Sequence, residues 1–259
     1  MKVIVTTAGR TNQEMVKKAR SVAGELCVPY VTRNKESIFT LQQREEADVI
    51  AVGKNRLELH PYDGEEPIFF HPNSSMFRAK RVLRGEYDPF LEATKLEEGM
   101  SFLDCTLGLA SDSIIASLVT GESGRVMGIE GNRYVAYLVK EGLQSWSTGV
   151  SELDEAMQRI FVHHQTFEAY LRCCEDNSVD VVYFDPMFSE TIEESDGIRG
   201  LKQVALYTTI SEEVMEEAKR VAKKRVVLKD HWQSNRFEQF GFDVYRRKTA
   251  KFHFGVLEV

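Results

Sequence analysis

From Met100 to the C-terminus, short apolar runs alternate with helical stretches, and this alternation restricts the chain more than any other feature of its sequence. The runs fall at 100–104, 125–130, 159–163, 180–184 and 225–229. Strands separated by helices favour parallel pairing, with helices covering both faces of the sheet, because a parallel neighbour needs a crossover long enough to hold a helix. The end of the chain breaks the pattern. Residues 241–245 and 252–257 read as two strands joined by a short basic turn, so an antiparallel hairpin is expected there.

The first hundred residues are organised differently. A β-branched run at 3–5 precedes a stretch, 12–27, in which Met15, Ala19, Val22, Ala23 and Leu26 recur at helical spacing. A further strand is predicted at 48–52, and a hairpin at 57–70 interrupted by Tyr62-Asp63-Gly64. Residues 1–71 therefore read as a small N-terminal α+β domain. Residues 72–98 read as a basic helical connector. Pro72-Asn73-Ser74-Ser75 can cap a helix carrying Arg78, Lys80, Arg81 and Arg84, and Asp88-Pro89 can start another. The remainder, 99–259, is the α/β domain.

Composition limits the partners. With 259 residues, 42% of them hydrophobic and 28% charged, the chain can bury a sizeable core and is not disordered. A net charge of −7 excludes a uniformly basic nucleic-acid coat, so an anionic partner must be met locally. Cys27, Cys105, Cys173 and Cys174 form no CxxC pair and read as reduced core thiols. The short apolar run at the N-terminus falls far short of a signal peptide or a membrane span, so a soluble, cytoplasmic protein is expected.

Three strand ends carry the chemistry. Phe102-Leu103-Asp104 runs into the small-residue turn Cys105 to Ala110 and then the helical stretch after Ser111-Asp112, which lets a ligand approach the backbone at the end of the sheet. Any α/β fold contains such turns, so this signal alone leaves a purely structural reading open. Val126-Met127-Gly128-Ile129-Glu130 is a second strand ending in a carboxylate, placed to accept both hydroxyls of a ribose, and Asn132 can cap the helix that follows. A dinucleotide-binding loop would carry closely spaced glycines for a pyrophosphate. Here Asp104 and Asp112 flank the loop and would repel one; they suit a positively charged cofactor without phosphate. The third end is Val181-Val182-Tyr183-Phe184-Asp185-Pro186-Met187-Phe188. The Asp185 carboxylate and the Pro186 carbonyl can both accept from an exocyclic amine, turning its lone pair toward an electrophile, and Phe188 offers a ring for a base to stack on.

In this order and on these strand ends, the segment 104–112, Glu130 and Asp185-Pro186-Met187-Phe188 resemble the motifs of class I S-adenosylmethionine-dependent methyltransferases. The resemblance covers about 160 residues, roughly 100 to 259. It implies a Rossmann-like, seven-stranded, mostly parallel sheet with a terminal antiparallel hairpin. More narrowly, Asp-x-Thr-x-Gly-x-x-x-Asp and Asp-Pro-Met-Phe are similar to the J-type bacterial enzymes that methylate guanine N2 in small-subunit ribosomal RNA. The resemblance implies that Asp104, Thr106, Gly108 and Asp112 surround the methionine part and sulfonium of the cofactor, while Glu130 holds its ribose. Asp185 and Pro186 would orient the target amine and Phe188 would stack on the base. Where the J-type pattern has an aspartate for the adenine amino group, His163-His164-Gln165-Thr166 stands here, so Gln165 would substitute through its amide oxygen.

Weaker features complete the reading. Arg78, Arg81 and Arg84 are candidate RNA phosphate contacts, although a solvated helix face has the same pattern. His231-Trp232 reads as a packed aromatic beside a hydrogen-bonded histidine. His163-His164 has no carboxylate or cysteine at a ligand-like offset, and no metal is expected. Residues 189–208, rich in glutamate and glycine, suit a lid or a plain surface insertion. DNA, a protein amide or a small amine as acceptor, and a non-catalytic RNA-binding protein with a retained methyltransferase fold, stay open. The sequence does not state an oligomeric state.

Overall fold

The computed structural model describes residues 2–64, 66–186 and 209–259. It divides into two compact units, one taking in the chain up to His71 together with Tyr137–Trp146, the other taking in the remaining described residues.

The first unit is built on three strands. β1 (Val3–Thr7) pairs in parallel with β2 (Asp48–Val52), and β2 pairs antiparallel with β3 (Leu57–His60). The predicted hairpin is short, continuing past β3 through one bridge between Leu59 and Ile68. Between the parallel strands come α1 (Gln13–Glu25) and α2 (Ile38–Glu45). Asn12 caps the first by accepting from the Met15 N–H at 2.8 Å, and Ser37 caps the second by accepting from Thr40 at 2.9 Å. Within the same unit, the Phe70 ring lies across Gly142, where a Cβ would come within 2.3 Å of it.

The second unit starts with two short helices, α3 (Asn73–Val82) and α4 (Pro89–Thr94). Asp88 caps α4 as its sequence predicts, accepting from Phe90 and Leu91. The start of α3 departs from expectation. Pro72 occupies the cap position, no side chain caps the helix, and the Ser74 and Ser75 hydroxyls bond to Ser111 instead. Arg84 lies just beyond the helix end.

The seven-stranded sheet follows the predicted alternation closely. Its strands are β4 (Ser101–Asp104), β5 (Arg125–Glu130), β6 (Ile160–His164), β7 (Val179–Phe184), β8 (Ala222–His231), β9 (Asp243–Tyr245) and β10 (Phe252–Glu258). Their order is β6-β5-β4-β7-β8-β10-β9, parallel through β8 and antiparallel at β10 and β9. The chain runs outward from β4 to β5 and β6, then returns to build β7 and β8 on the other side. Between β4 and β7 the crossovers diverge, and a crevice opens beyond their carboxyl ends.

Register fixes which side chains share a face. Asp104 pairs with Tyr183 and Phe184 with Leu228, so Asp104, Tyr183, Asp185 and Lys229 fall on one face. That face carries an aromatic cluster of Phe90, Phe102 and Tyr183, with centroids 5.3 to 5.6 Å apart. The opposite face packs Leu103, Met127, Val182, Phe184, Val226 and Leu228 against Phe167, Leu171 and the helix Glu212–Val221.

Two expectations are corrected here. Only Cys105 of the four cysteines is a core thiol; Cys27 and Cys173 are exposed. Trp232 is 53% exposed rather than packed. Met187, Phe188 and the stretch 189–208 lie outside the described residues. No helix among the described residues is long and apolar enough to cross a membrane.

Candidate active site

The turn after β4 is shaped by its neighbours. Asp104, buried at the strand end, accepts from the Thr106 N–H at 3.0 Å and from the Ser113 hydroxyl at 2.6 Å. The Leu107 N–H reaches the Ile129 carbonyl at 3.0 Å, laying the turn over the end of β5. Gly128 makes room for it, since a Cβ there would come within 2.3 Å of a Leu107 methyl. Gly108 and Ala110 both take the left-handed conformation (φ 49° and 62°), which reverses the chain into α5 (Ser111–Thr120). The cost at Ala110, of order 1 kcal/mol, is one that glycine would avoid.

Thr106 ties this turn to the third strand end. Its hydroxyl accepts from the backbone N–H of Asp185 at 2.6 Å, and the Cys105 N–H donates to the Tyr183 carbonyl at 2.9 Å. The structure thus joins Asp104, Thr106, Gly108 and Asp185 at the crevice. Glu130 belongs to the same group, accepting from the N–H of Asn132 at 2.8 Å, with the Gly108 and Gly131 N–H groups also directed at it. Gln165 follows β6 and is half-buried, its N–H donating to the Glu130 carbonyl at 3.2 Å. Pro186 is buried beside Asp185.

Burial pushes both Asp104 and Glu130 up to about 7, against the hydrogen bonds that favour their charged forms. Among the described residues no lysine or arginine pairs with either one. A buried and a half-buried carboxyl without a cation, at the ends of adjacent strands, suit a ligand that brings positive charge and hydroxyl groups.

Asp112 is ion-paired within the protein. It is held by Arg78 through Oδ1, and by the Tyr183 hydroxyl at 2.8 Å and Lys229 Nζ at 3.2 Å through Oδ2. Burial opposes its charge, but Lys229 and Arg78 outweigh burial and hold the carboxyl below the usual range. Its charge is already answered within the protein. Arg78, expected to meet phosphates, also pairs with Asp88 and is committed inward. Arg81 and Arg84 remain exposed, sharing Glu86 at 3.1 and 3.7 Å.

Lys229 is the residue that sequence reading missed. It sits 2.6 Å from Asp185 Oδ2 and bridges to Asp112. Burial works against its ammonium, but the two carboxylates outweigh it and hold the group above the ordinary lysine range. Asp185 itself is pushed upward by burial, to about 6, with Lys229 opposing. The signal for Lys229 was a cation directly after the apolar run Val226-Val227-Leu228. Its partners stand 44 and 117 residues away, and nothing local pointed to them.

Comparison with known proteins gives a consistent set of likenesses. The family model for SAM-dependent methyltransferases matches residues 34–252. The uncharacterized protein YpiP of Bacillus subtilis is 52% identical over 255 residues, covering 98% of this chain and 99% of its own. The ribosomal RNA small subunit methyltransferase J of Acinetobacter baylyi is 30% identical over 114 residues, 43% of this chain and 41% of that protein. Among solved structures, a SAM-dependent methyltransferase from Neisseria gonorrhoeae superposes with a TM-score of 0.64, covering 98% of this chain and 95% of its own at 17% identity. At that identity the likeness speaks for the fold alone.

Proposed function

The chain belongs to the SAM-dependent methyltransferase family, and from that premise we propose that it methylates an exocyclic base amine, guanine N2 of ribosomal RNA being the acceptor that fits best. The observation that carries the proposal is Asp185. It directly follows β7 at the crevice, its backbone is held by Thr106, its carboxylate is held by Lys229, and a proline carbonyl follows it. The partial likeness to a ribosomal RNA methyltransferase supports RNA as the substrate class. An RNA of this kind would be met in the cytoplasm.

The residues at the crevice fit the cofactor. Asp104 and Glu130 supply carboxyls without a cation, and Thr106 and Gly108 are the half-exposed residues of the turn between them. Asp104, Thr106 and Gly108 would lie about the methionine part, Glu130 would take the ribose hydroxyls, and Gln165 would face the adenine. Bound S-adenosylmethionine supplies a methyl group already activated on a sulfonium. The protein's own contribution is then orientation and electrostatics. The Asp185 carboxylate and Pro186 carbonyl accept the two amine N–H groups, which directs the nitrogen lone pair away from them. With the methyl carbon passing from sulfur to nitrogen and the carbon–sulfur bond breaking to leave a neutral thioether, the Asp185 carboxylate would stabilise the positive charge on nitrogen until the extra proton passes to water. We assign catalysis to residues 99–259 and substrate positioning to 1–71, with 72–98 between them.

Acidity of the site yields an expected result. Cofactor binding should release on the order of one proton near pH 6.5, because a cation favours the ionised forms of Asp104 and Glu130. Affinity should therefore rise from pH 5.5 to 8. In the protein alone the sign is opposite. These raised carboxyls favour folding below their unfolded values, and that contribution fades as pH climbs through about 7. Calorimetry in buffers of different ionisation enthalpy measures the release, and Glu130→Gln should reduce it.

The acceptor is tested by incubating the protein with labelled cofactor and total RNA, DNA and protein from cells lacking it, then mapping the label. Label on guanine N2 in small-subunit ribosomal RNA is the expected result. Label confined to DNA, protein or small molecules would reject the RNA reading.

A further inference from the structure

Helix α3 has two unlike faces. On one, Ser75 and Ala79 are buried, Ser74 and Ser75 bond to Ser111 at 2.8 and 3.1 Å, and Arg78 pairs with Asp112. These contacts fasten α3 to the first turn of α5, directly after the turn that follows β4. On the other face stand Phe77, Lys80 and Arg81, spaced i, i+3 and i+4, with Arg84 in the turn just past the helix end, all exposed. Phe77 is 76% exposed. Tyr87, 62% exposed, is kept beside them by Arg81, whose guanidinium donates to the Tyr87 carbonyl at 3.0 Å.

We propose that this face of α3 is a docking surface for single-stranded RNA, where an unpaired base stacks on Phe77 while Lys80, Arg81 and Arg84 take the neighbouring phosphates. The inference rests on the RNA reading above and gives it a place on the protein. Charge complementarity selects the occupant. The exposed Phe77 ring set among three cations, with Tyr87 beside it, matches a base flanked by phosphates, because stacking uses the ring face and the cations neutralise the backbone. A membrane surface would call for a wide apolar face, and the rest of this helix is already fastened to α5. A single strand is favoured over a duplex because a paired base offers no free face to stack. Glu86 shares Arg81 and Arg84, so Lys80, with no carboxylate paired to it among the described residues, has its full charge available. The clasp on Asp112, which also binds Lys229 and through it Asp185, fixes this surface relative to the target amine.

The test is fluorescence anisotropy with a short single-stranded oligoribonucleotide of the labelled region, alongside calorimetry with S-adenosylmethionine. Phe77→Ala should weaken RNA binding about tenfold, Phe77→Trp should restore it, and cofactor affinity should stay constant in both. The double variant K80E/R84E should flatten the salt dependence by about 0.7 in slope for each phosphate that no longer meets a cation. RNA binding that survives Phe77→Ala and K80E/R84E overturns this surface and leaves the RNA reading intact. Loss of cofactor affinity together with RNA affinity also overturns it, by showing that Phe77 acts through packing. A wild-type protein that binds no RNA and labels none fails the RNA reading itself.

Discussion

Asp185→Ala is expected to lower methyl transfer by on the order of 10²–10³-fold while changing S-adenosylmethionine affinity little. The separation follows from what each part of the residue does. Its backbone N–H bonds to the Thr106 hydroxyl at 2.6 Å, and alanine keeps that bond, so the turn after β4 stays in place. Its carboxylate is the group that alanine removes. Lys229 keeps Asp112 at 3.2 Å, so the variant leaves no unpaired cation to destabilise the fold. The loss should therefore appear in turnover and not in the denaturation midpoint. Asp185→Asn is the sharper control, since it preserves shape but presents an amide N–H where an acceptor is needed, and it should lose nearly as much. The measurement is transfer of label into the accepting fraction beside calorimetric binding of the cofactor. Transfer by Asp185→Ala at the wild-type rate would remove Asp185 from the reaction.

Much of this site was legible because its signals are local. An apolar run closed by Asp104, Glu130 or Asp185, then a turn, needs only a few consecutive residues to recognise, and alternation with helices orders such runs in one sheet. The cap at Asp88 was legible for the same reason, as was Asn132, which accepts from Tyr134 at 2.9 Å. Charge pairing was not. Arg78 reads as a surface cation because its partners stand 10 and 34 residues further on, and Asp112 reads as an unpaired carboxylate for the reciprocal reason. Once folded, the two pair with each other, whereas Asp104 and Glu130 have no cation paired to them among the described residues. The serines before α3 show a similar limit. Ser74 and Ser75 have the composition of a cap, but Ser111 lies within reach and takes their hydroxyls. The acidic net charge also takes on a more specific meaning, because several of these acids are internal and the exposed cations of α3 meet solvent directly.

Lys229→Met should be the most destabilising change in the site and should betray itself by its pH dependence. The side chain is 18% exposed and bridges Asp112 and Asp185, so methionine fills similar volume but withdraws the charge both carboxylates face. Asp112 retains Arg78 and the Tyr183 hydroxyl, whereas Asp185 loses its cation. Breaking a buried pair by removing one partner costs about 3–5 kcal/mol, roughly 10 °C in Tm for a domain of this size. In the wild type the Asp185 carboxyl lies raised, near 6, and ionises above that value against the ammonium. Without Lys229 it rises further and holds its proton, while the unfolded chain still releases it. The Asp185 contribution to the variant's stability then continues to fall as pH climbs beyond 6, where the same contribution in the wild type has levelled off, while Asp104 and Glu130 act alike in both proteins. The deficit should be smallest near pH 5 and widest near pH 8, and Lys229→Arg should recover most of it. Methyl transfer should follow the same course, because a protonated Asp185 cannot accept both ways from the amine, so the acidic limb of its pH profile should move upward. Thermal denaturation of the three proteins from pH 5 to 8 measures the deficit. A constant difference across that range would mean that Lys229 acts by packing alone and does not set the charge of Asp185.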